Sequence, residues 1–84
     1  MEQDLFNLET PEIKGRNKVI FYDTVKSLPD GAEIKISPFT QYLRRKGATL
    51  SEESTSRYLR FLKDWNWGVV AINKGKSKYE IRKY

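Results

Sequence analysis

Apolar residues at helical spacing predict a first helix over residues 18–28, because Phe21, Val25 and Leu28 fall on one face of such a helix. Residues 19–22 alone would also suit a β-strand, since β-branched and aromatic residues in a row favour one. The proline, aspartate and glycine at positions 29–31 then favour a turn. We therefore expect a helix that ends in a tight turn.

A short strand and a second helix are predicted next. Residues 33–36 alternate between polar and apolar side chains, which indicates a strand. Ser37 is a candidate N-cap with Pro38 at the first helical position, and Gly47 stands where a left-handed residue would end the helix. The helix then has an apolar face of Phe39, Tyr42 and Leu43 and a polar face of Gln41, Arg44 and Arg45.

The third predicted helix, residues 52–64, has the clearest amphipathic pattern in the chain. Ser51 is its candidate N-cap, and Glu52 and Glu53 suit the positive end of the helix dipole. A rotation of about 100° per residue puts Thr55, Tyr58, Leu59, Leu62 and Trp65 on the inward side and Glu53, Ser56, Arg57, Arg60 and Asp64 on the outward side. The outward face therefore bears two arginines and a hydroxyl group beside two carboxylates.

A β-hairpin with a lysine-rich tip is predicted after this helix. Residues 67–72 are apolar and β-prone, residues 73–77 contain a glycine and form the turn, and residues 78–84 alternate again. The predicted class is α+β, with a folded domain over residues 18–84. Residues 1–17 form an acidic arm that we expect to be disordered or loosely packed, with Leu5, Phe6 and Leu8 available to dock on a protein partner.

Composition narrows the chemistry that this domain can perform. The chain contains no cysteine and no histidine, which excludes disulfides, thiolate nucleophiles, histidine bases and nearly every zinc or haem site. No carboxylate pair or glycine-rich phosphate loop occurs at a recognisable spacing. We therefore expect a protein that is not an enzyme and that uses no metal, no cofactor and no small-molecule substrate.

The net charge of +5 favours an anionic partner, and the positive charge is concentrated in the second half of the chain. Residues 40–84 contain eleven basic and four acidic side chains, whereas residues 1–16 contain two basic and four acidic ones. No stretch is apolar enough to cross a bilayer, and the first residues do not resemble a secretion signal. These features predict a cytoplasmic protein without membrane association.

The third helix carries a resemblance to a known superfamily. Its sequence Ser54-Thr55-Ser56-Arg57-Tyr58-Leu59-Arg60-Phe61-Leu62 resembles the recognition helix of winged helix-turn-helix DNA-binding proteins. The predicted order of helix, strand, helix, tight turn, helix and hairpin over residues 18–84 is also similar to that superfamily. Two departures are that Thr55 occupies an inward position where valine is common, and that Glu53 and Asp64 share the face that would meet DNA.

The resemblance implies a small winged helix that binds double-stranded DNA, with residues 52–64 in the major groove and residues 73–78 as the wing. Arg57 and Arg60 would donate hydrogen bonds to guanine, while the other side chains would contact phosphates or bridging water. The implied DNA-binding residues are Gln41, Arg44, Arg45, Ser54, Ser56, Arg57, Arg60, Lys63, Lys74, Lys76 and Lys78. The resemblance also implies a biological role, either regulation of transcription or assistance in replication or recombination, as in phage and plasmid proteins. Whether the protein forms a homodimer stays open.

Other interpretations of these residues stay open. The basic side chains of the third helix also fit an ordinary helix face that is exposed to solvent. The hairpin lysines also fit charges whose only role is to keep the protein soluble, and the two serines also fit residues that bond the free amides of a helix start. A winged helix can instead serve as a protein-interaction module, for example in a mobile-element protein that modulates a host protein. Single-stranded nucleic acid binding would require Trp67, Tyr79 and Tyr84 to face outward, whereas core packing is the alternative for Trp65 and Trp67.

Overall fold

Three helices and a three-stranded antiparallel sheet make up the part of the chain that the computed structural model describes, residues 15–84. In chain order the elements are α1 (Arg16–Ser27), β1 (Glu33–Lys35), α2 (Ile36–Arg45), α3 (Glu52–Phe61), a 3-10 helix (Leu62–Trp65), β2 (Val69–Gly75) and β3 (Lys78–Lys83). The predicted α+β class is confirmed. Of the predicted acidic arm, residues 1–14 lie outside the described residues, and α1 already begins at Arg16.

The sheet has the order β1-β3-β2, so the last strand of the chain lies between the other two. Tyr79 and Ile81 of β3 are buried beneath the helices, while Glu80 between them belongs to the opposite face. Tyr79 pairs with Ile34 of β1, and Ile81 pairs with Ala71 of β2. The alternation predicted for the hairpin is therefore present, with its apolar side facing the core.

The aromatic core shows why residues 19–22 form a helix and not a strand. Helical geometry buries Phe21, Thr24 and Val25 on one face, whereas a strand would turn the adjacent Thr24 and Val25 to opposite faces. The Phe21 ring packs edge-on against Tyr58 at 5.2 Å and against Trp65 at 6.3 Å, measured between ring centres. Trp67 is buried in the same cluster, as the core-packing interpretation predicts, and Trp65 is partly buried there.

The start and the faces of α2 differ from the prediction. The helix begins at Ile36 with Lys35 as its N-cap residue, so the prediction that Ser37 caps it is wrong. The cause is tertiary, because β1 runs directly into the helix and the Ile36 side chain is buried. Tyr42 is 39% exposed, so it does not belong to the buried face that Phe39 and Leu43 form.

The predicted start of α3 is confirmed, but its last turn is not α-helical. The Ser51 hydroxyl accepts a hydrogen bond from the Ser54 backbone amide at 3.1 Å, which satisfies one of the free amides of the helix start. The α-helix ends at Phe61, and the residues that follow tighten into the 3-10 helix. The segment predicted as one helix over residues 52–64 is thus two helical pieces.

The hairpin turn is shorter than the predicted five-residue turn of residues 73–77. Gly75 pairs directly with Lys78, which leaves a turn of only Lys76 and Ser77. Both turn residues have positive φ, 52° and 62°, as a type I′ turn requires. Most of the predicted wing therefore belongs to β2 and β3, whose pairing is irregular between Asn73 and Gly75, and Lys76 is the lysine that lies at its tip.

No helix within residues 15–84 has the length and apolarity needed to cross a membrane.

The connection between α2 and α3 is closed by Gly47 in the left-handed region predicted for it, with φ of 109°. The Gly47 amide donates to the Arg44 carbonyl and the Ala48 amide donates to the Leu43 carbonyl, which is the Schellman arrangement. Arg16 of α1 covers this glycine, since its Nε donates to the Gly47 carbonyl at 3.1 Å. A Cβ atom at Gly47 would lie 2.7 Å from the Arg16 guanidinium.

Substitution of Gly47 by alanine should cost more stability than the same change at Gly31. Both residues have positive φ, but nothing lies within 4 Å of a Cβ at Gly31. We expect Gly31→Ala to lower the free energy of unfolding by about 1 kcal/mol. Gly47→Ala should lower it by about 2 kcal/mol, because it also displaces Arg16 from its hydrogen bond. Urea unfolding followed by circular dichroism measures both values, and equal decreases would contradict the role of Arg16.

Candidate nucleic-acid interface

The exposed side of α3 and of the 3-10 helix presents three of the predicted basic residues, Arg57, Arg60 and Lys63, to solvent. The opposite face of α3 is fixed in the core by Thr55 and Leu59, both at most 1% exposed. Because side chains three positions apart share a side of a helix, Arg57 and Arg60 project in the same direction. The packing of α3 therefore determines which way these two guanidinium groups point.

An ion pair within α3 restrains one of these guanidinium groups. Arg57 Nη2 lies 4.0 Å from the Glu53 carboxylate one turn earlier, and the Arg57 side chain is half exposed. Arg60 and Lys63 form no ion pair and no side-chain hydrogen bond with any residue of the described range 15–84. Within the described chain, Arg60 is thus the less restrained of the two predicted base-contacting arginines.

The two serines of α3 predicted to contact DNA have hydrogen-bond partners within the protein. The Ser54 hydroxyl accepts from the Ser51 hydroxyl at 3.1 Å, as part of the helix start. The Ser56 hydroxyl lies 3.3 Å from the Tyr79 hydroxyl of β3. Both serines are half-buried, and the Ser56 contact ties α3 to the central strand of the sheet.

The predicted residues of α2 differ in how firmly the protein holds their side chains. Gln41 and Arg45 are exposed. Arg44 is also exposed, but its Nε donates to the Leu50 carbonyl at 2.8 Å, just before α3 begins. Arg44 therefore holds the connection between α2 and α3, and only its terminal guanidinium nitrogens are left to meet a phosphate.

Two of the three hairpin lysines form ion pairs across the sheet. Lys74 lies 3.4 Å from the Glu80 carboxylate, which also contacts Arg82, and Lys78 lies 3.8 Å from the Glu33 carboxylate. Lys76 at the tip is exposed and has no carboxylate within ion-pair distance in the described chain. The solubility-charge interpretation therefore fits Lys74 and Lys78 better than it fits Lys76.

Residues that the sequence did not single out hold the α2–α3 connection from the side of α1. The Asn17 Oδ1 atom accepts from the Thr49 amide at 2.9 Å, and the Asn17 Nδ2 group donates to the Thr49 hydroxyl at 3.1 Å. The sequence pattern places Arg16 and Asn17 in the N-terminal arm, whereas both belong to α1. No local signal identifies their role, because their partners lie more than thirty residues away along the chain.

Single-stranded nucleic acid binding requires Trp67, Tyr79 and Tyr84 to face outward, and this interpretation is wrong for two of the three residues. Trp67 and Tyr79 are each 5% exposed and belong to the core, whereas Tyr84 is exposed. A sheet that binds bases by stacking needs aromatic faces open to solvent. Trp67 and Tyr79 therefore cannot provide the stacking platform that single-stranded nucleic acid would require.

The charge of the described part is strongly positive. Residues 15–84 contain 15 of the 16 basic residues of the chain and 7 of its 11 acidic residues. The four ion pairs within these residues all involve basic side chains of α3 or of the hairpin. Three of these seven acidic residues, Glu33, Glu53 and Glu80, thus offset charge on the elements predicted to meet DNA.

Comparisons with protein-family models, with curated proteins and with solved structures find no match to this chain.

Proposed function

We propose that this chain is a small winged helix that binds double-stranded DNA without catalysing a reaction, with α3 in the major groove. The observation that carries the proposal is an exposed helical face with Arg57, Arg60 and Lys63, whose opposite face is held in the core. An α-helix fits the major groove, where arginine can donate two hydrogen bonds to the O6 and N7 atoms of guanine. Because the helix is already fixed in the core, only its side chains have to be ordered on binding.

The two arginines of α3 are proposed to have different roles. Arg60 is the principal base contact, because no partner in the described chain holds its guanidinium. Arg57 must leave Glu53 before it can contact a base or a phosphate, but an exposed ion pair of this kind is worth at most about 1 kcal/mol. Arg57 therefore contributes to affinity less than Arg60.

The hairpin supports α3 by contacting the phosphate backbone, with Lys76 as the leading residue. The type I′ turn places Lys76 at the exposed tip, while Lys74 and Lys78 are partly neutralised by acidic neighbours. Backbone contacts position a protein on the duplex without selecting sequence. The proposed division of labour is sequence selection by α3 and nonspecific affinity from the hairpin, Arg45 and Lys63.

Titration with duplex DNA tests the proposed function. Fluorescence anisotropy with a pool of random duplexes at about 50 and 200 mM salt should show binding that weakens steeply with salt. The logarithmic slope should be about −3 if phosphates are contacted only by Arg45, Lys63 and Lys76, the proposed backbone contacts that have no acidic partner in the described chain. It should be about −7 if all eight predicted cations contact phosphates. Absence of binding at the lower salt would overturn the proposal in favour of a protein-interaction module.

Replacing Arg57 and Arg60 together by alanine should relax the preference for a duplex selected from the pool. The expected cost is about 1–3 kcal/mol for each arginine that donates two hydrogen bonds to a base, measured as the ratio of affinities for the selected and the random duplexes. The double substitution Arg57→Lys and Arg60→Lys is the matched control. It keeps both charges but not the planar donor geometry, so it should lower the same ratio while the salt slope stays at its original value. An unchanged ratio in both variants would mean that α3 does not contact bases.

Replacing Glu53 by glutamine should strengthen binding to all duplexes, because it removes a negative charge from the proposed DNA-facing surface and releases Arg57. A gain of about threefold to fivefold is expected, in line with the removal of one exposed ion pair. Glu52→Gln is the control, since Glu52 lies in the same first turn but forms no ion pair in the described chain. Equal gains in affinity for both variants would mean that the loss of a negative charge alone strengthens binding, and that the release of Arg57 has no part in it.

A further inference from the structure

The connection between α2 and α3, residues 46–51, is held by side chains from both of the preceding helices. Arg16 of α1 donates to the Gly47 carbonyl, Asn17 of α1 pairs with Thr49, and Arg44 of α2 donates to the Leu50 carbonyl. Gly47, Thr49 and Leu50 of the connection are thus each held by a side chain from α1 or α2. This arrangement is more than is needed to close a turn, since the Schellman bonds and the Ser51 cap already satisfy its two ends.

The angle at which α3 leaves this turn decides where its basic residues lie. Arg60 is the ninth residue of α3, about 12 Å along the helix from its start at a rise of 1.5 Å per residue. A tilt of about 10° would move that point by roughly 2 Å. Hydrogen bonds tolerate only a few tenths of an ångström, so a tilt of this size would move Arg57 and Arg60 together out of register with the bases while the hairpin stays on the phosphate backbone.

We propose that Asn17, together with Arg16, is a positioning residue that sets the orientation of α3. The effect on DNA binding rests on the proposed function, whereas the effect on the orientation of α3 does not depend on it. Asn17 joins α1 directly to the turn through a donor and an acceptor on the same amide group. Such a two-point contact restrains rotation as well as separation, which a single hydrogen bond does not.

The exposure of this contact separates positioning from simple stabilisation. The Asn17–Thr49 hydrogen bonds are solvent-exposed, whereas the core residues that hold α1 in place, Phe21 and Val25, are fully buried. Removal of the Asn17 amide should therefore leave the domain folded. Asn17 is also uncharged, so its removal does not change the electrostatic attraction to DNA, as removal of Arg16 would.

Asn17→Ala in the full chain is the test, with two readouts. The first is the ratio of affinities for a selected and a random duplex, which should fall by about fivefold to tenfold while the random-duplex affinity and its salt slope stay unchanged. The second is the set of backbone N–H residual dipolar couplings, which reports the orientation of α3 relative to α1 and α2 without DNA. These couplings should change within α3 and stay as in the original protein within α1 and α2.

Thr49→Ala and Thr49→Ser provide matched variants on the other side of the contact. Thr49→Ala removes the hydroxyl partner of Asn17 and should shift both readouts in the same direction by a smaller amount, whereas Thr49→Ser keeps the hydroxyl and should restore them. If Asn17→Ala fails to fold, the Thr49 pair decides the question alone. Unchanged couplings in α3 together with an unchanged ratio would overturn the proposal.

The two readouts also separate this inference from the proposed function. If the original protein binds no duplex, the DNA-binding proposal fails, and the dipolar couplings alone decide whether Asn17 orients α3. If the original protein binds selectively and Asn17→Ala matches it in both readouts, DNA binding stands and the positioning role is refuted.

Discussion

The packing of Phe21 is the interaction on which the rest of the structure depends. Its ring is fully buried and lies within 6.3 Å of the rings of Phe39, Tyr58, Trp65 and Trp67, measured between centres. One side chain of α1 therefore contacts α2, α3, the 3-10 helix and the segment that leads into the hairpin. Burial of such a ring contributes about 1.5–3 kcal/mol, a large share of the stability expected for so small a domain.

This central contact has a consequence for the surface. Because α3 presents one face to Phe21 through Tyr58, its opposite face must point to solvent with Arg57 and Arg60. Core packing fixes the rotation of α3 about its own axis, and the proposed role of Asn17 adds a restraint on the tilt of the helix relative to α1 and α2. The contacts of α1 with the α2–α3 connection act on that tilt. Helix α1 therefore supports the candidate site in two ways, through the buried ring of Phe21 and through the hydrogen bonds of Arg16 and Asn17.

The sequence predicts those parts of the fold that depend on local signals. The Ser51 cap, the left-handed Gly47, the inward face of α3 and the hairpin follow from short-range chemistry and from periodicity, and the structure has all four. The start of α2 and the exposure of Tyr42 depend on where β1 and α1 pack, which periodicity does not contain. The Arg16 and Asn17 contacts bridge more than thirty residues, so the sequence offers no signal for them. In the candidate site, the sequence locates the basic residues, and the four-residue spacing of Glu53 and Arg57 is a local signal for their ion pair. The acidic partners of Lys74 and Lys78 depend on strand pairing, which the sequence does not reveal.

The acidic partners change how the positive charge of this domain would act on DNA. Glu53, Glu80 and Glu33 each contact a basic residue of the predicted site, namely Arg57, Lys74 and Lys78. The Glu53 and Glu33 carboxylates are exposed, so a phosphate can replace them at small cost, whereas the Glu80 carboxylate is only 12% exposed and holds its partners more firmly. The exchange still lowers the net gain from those contacts relative to Arg60 and Lys76, which have no acidic partner within residues 15–84. Backbone contacts contribute to specific and nonspecific complexes alike, so weaker contacts from Lys74 and Lys78 lower both affinities. The ratio of the two affinities, which is the quantity that matters among many competing sites, is then set by the base contacts of α3. The acidic partners of the hairpin lysines would thus moderate affinity without changing selectivity.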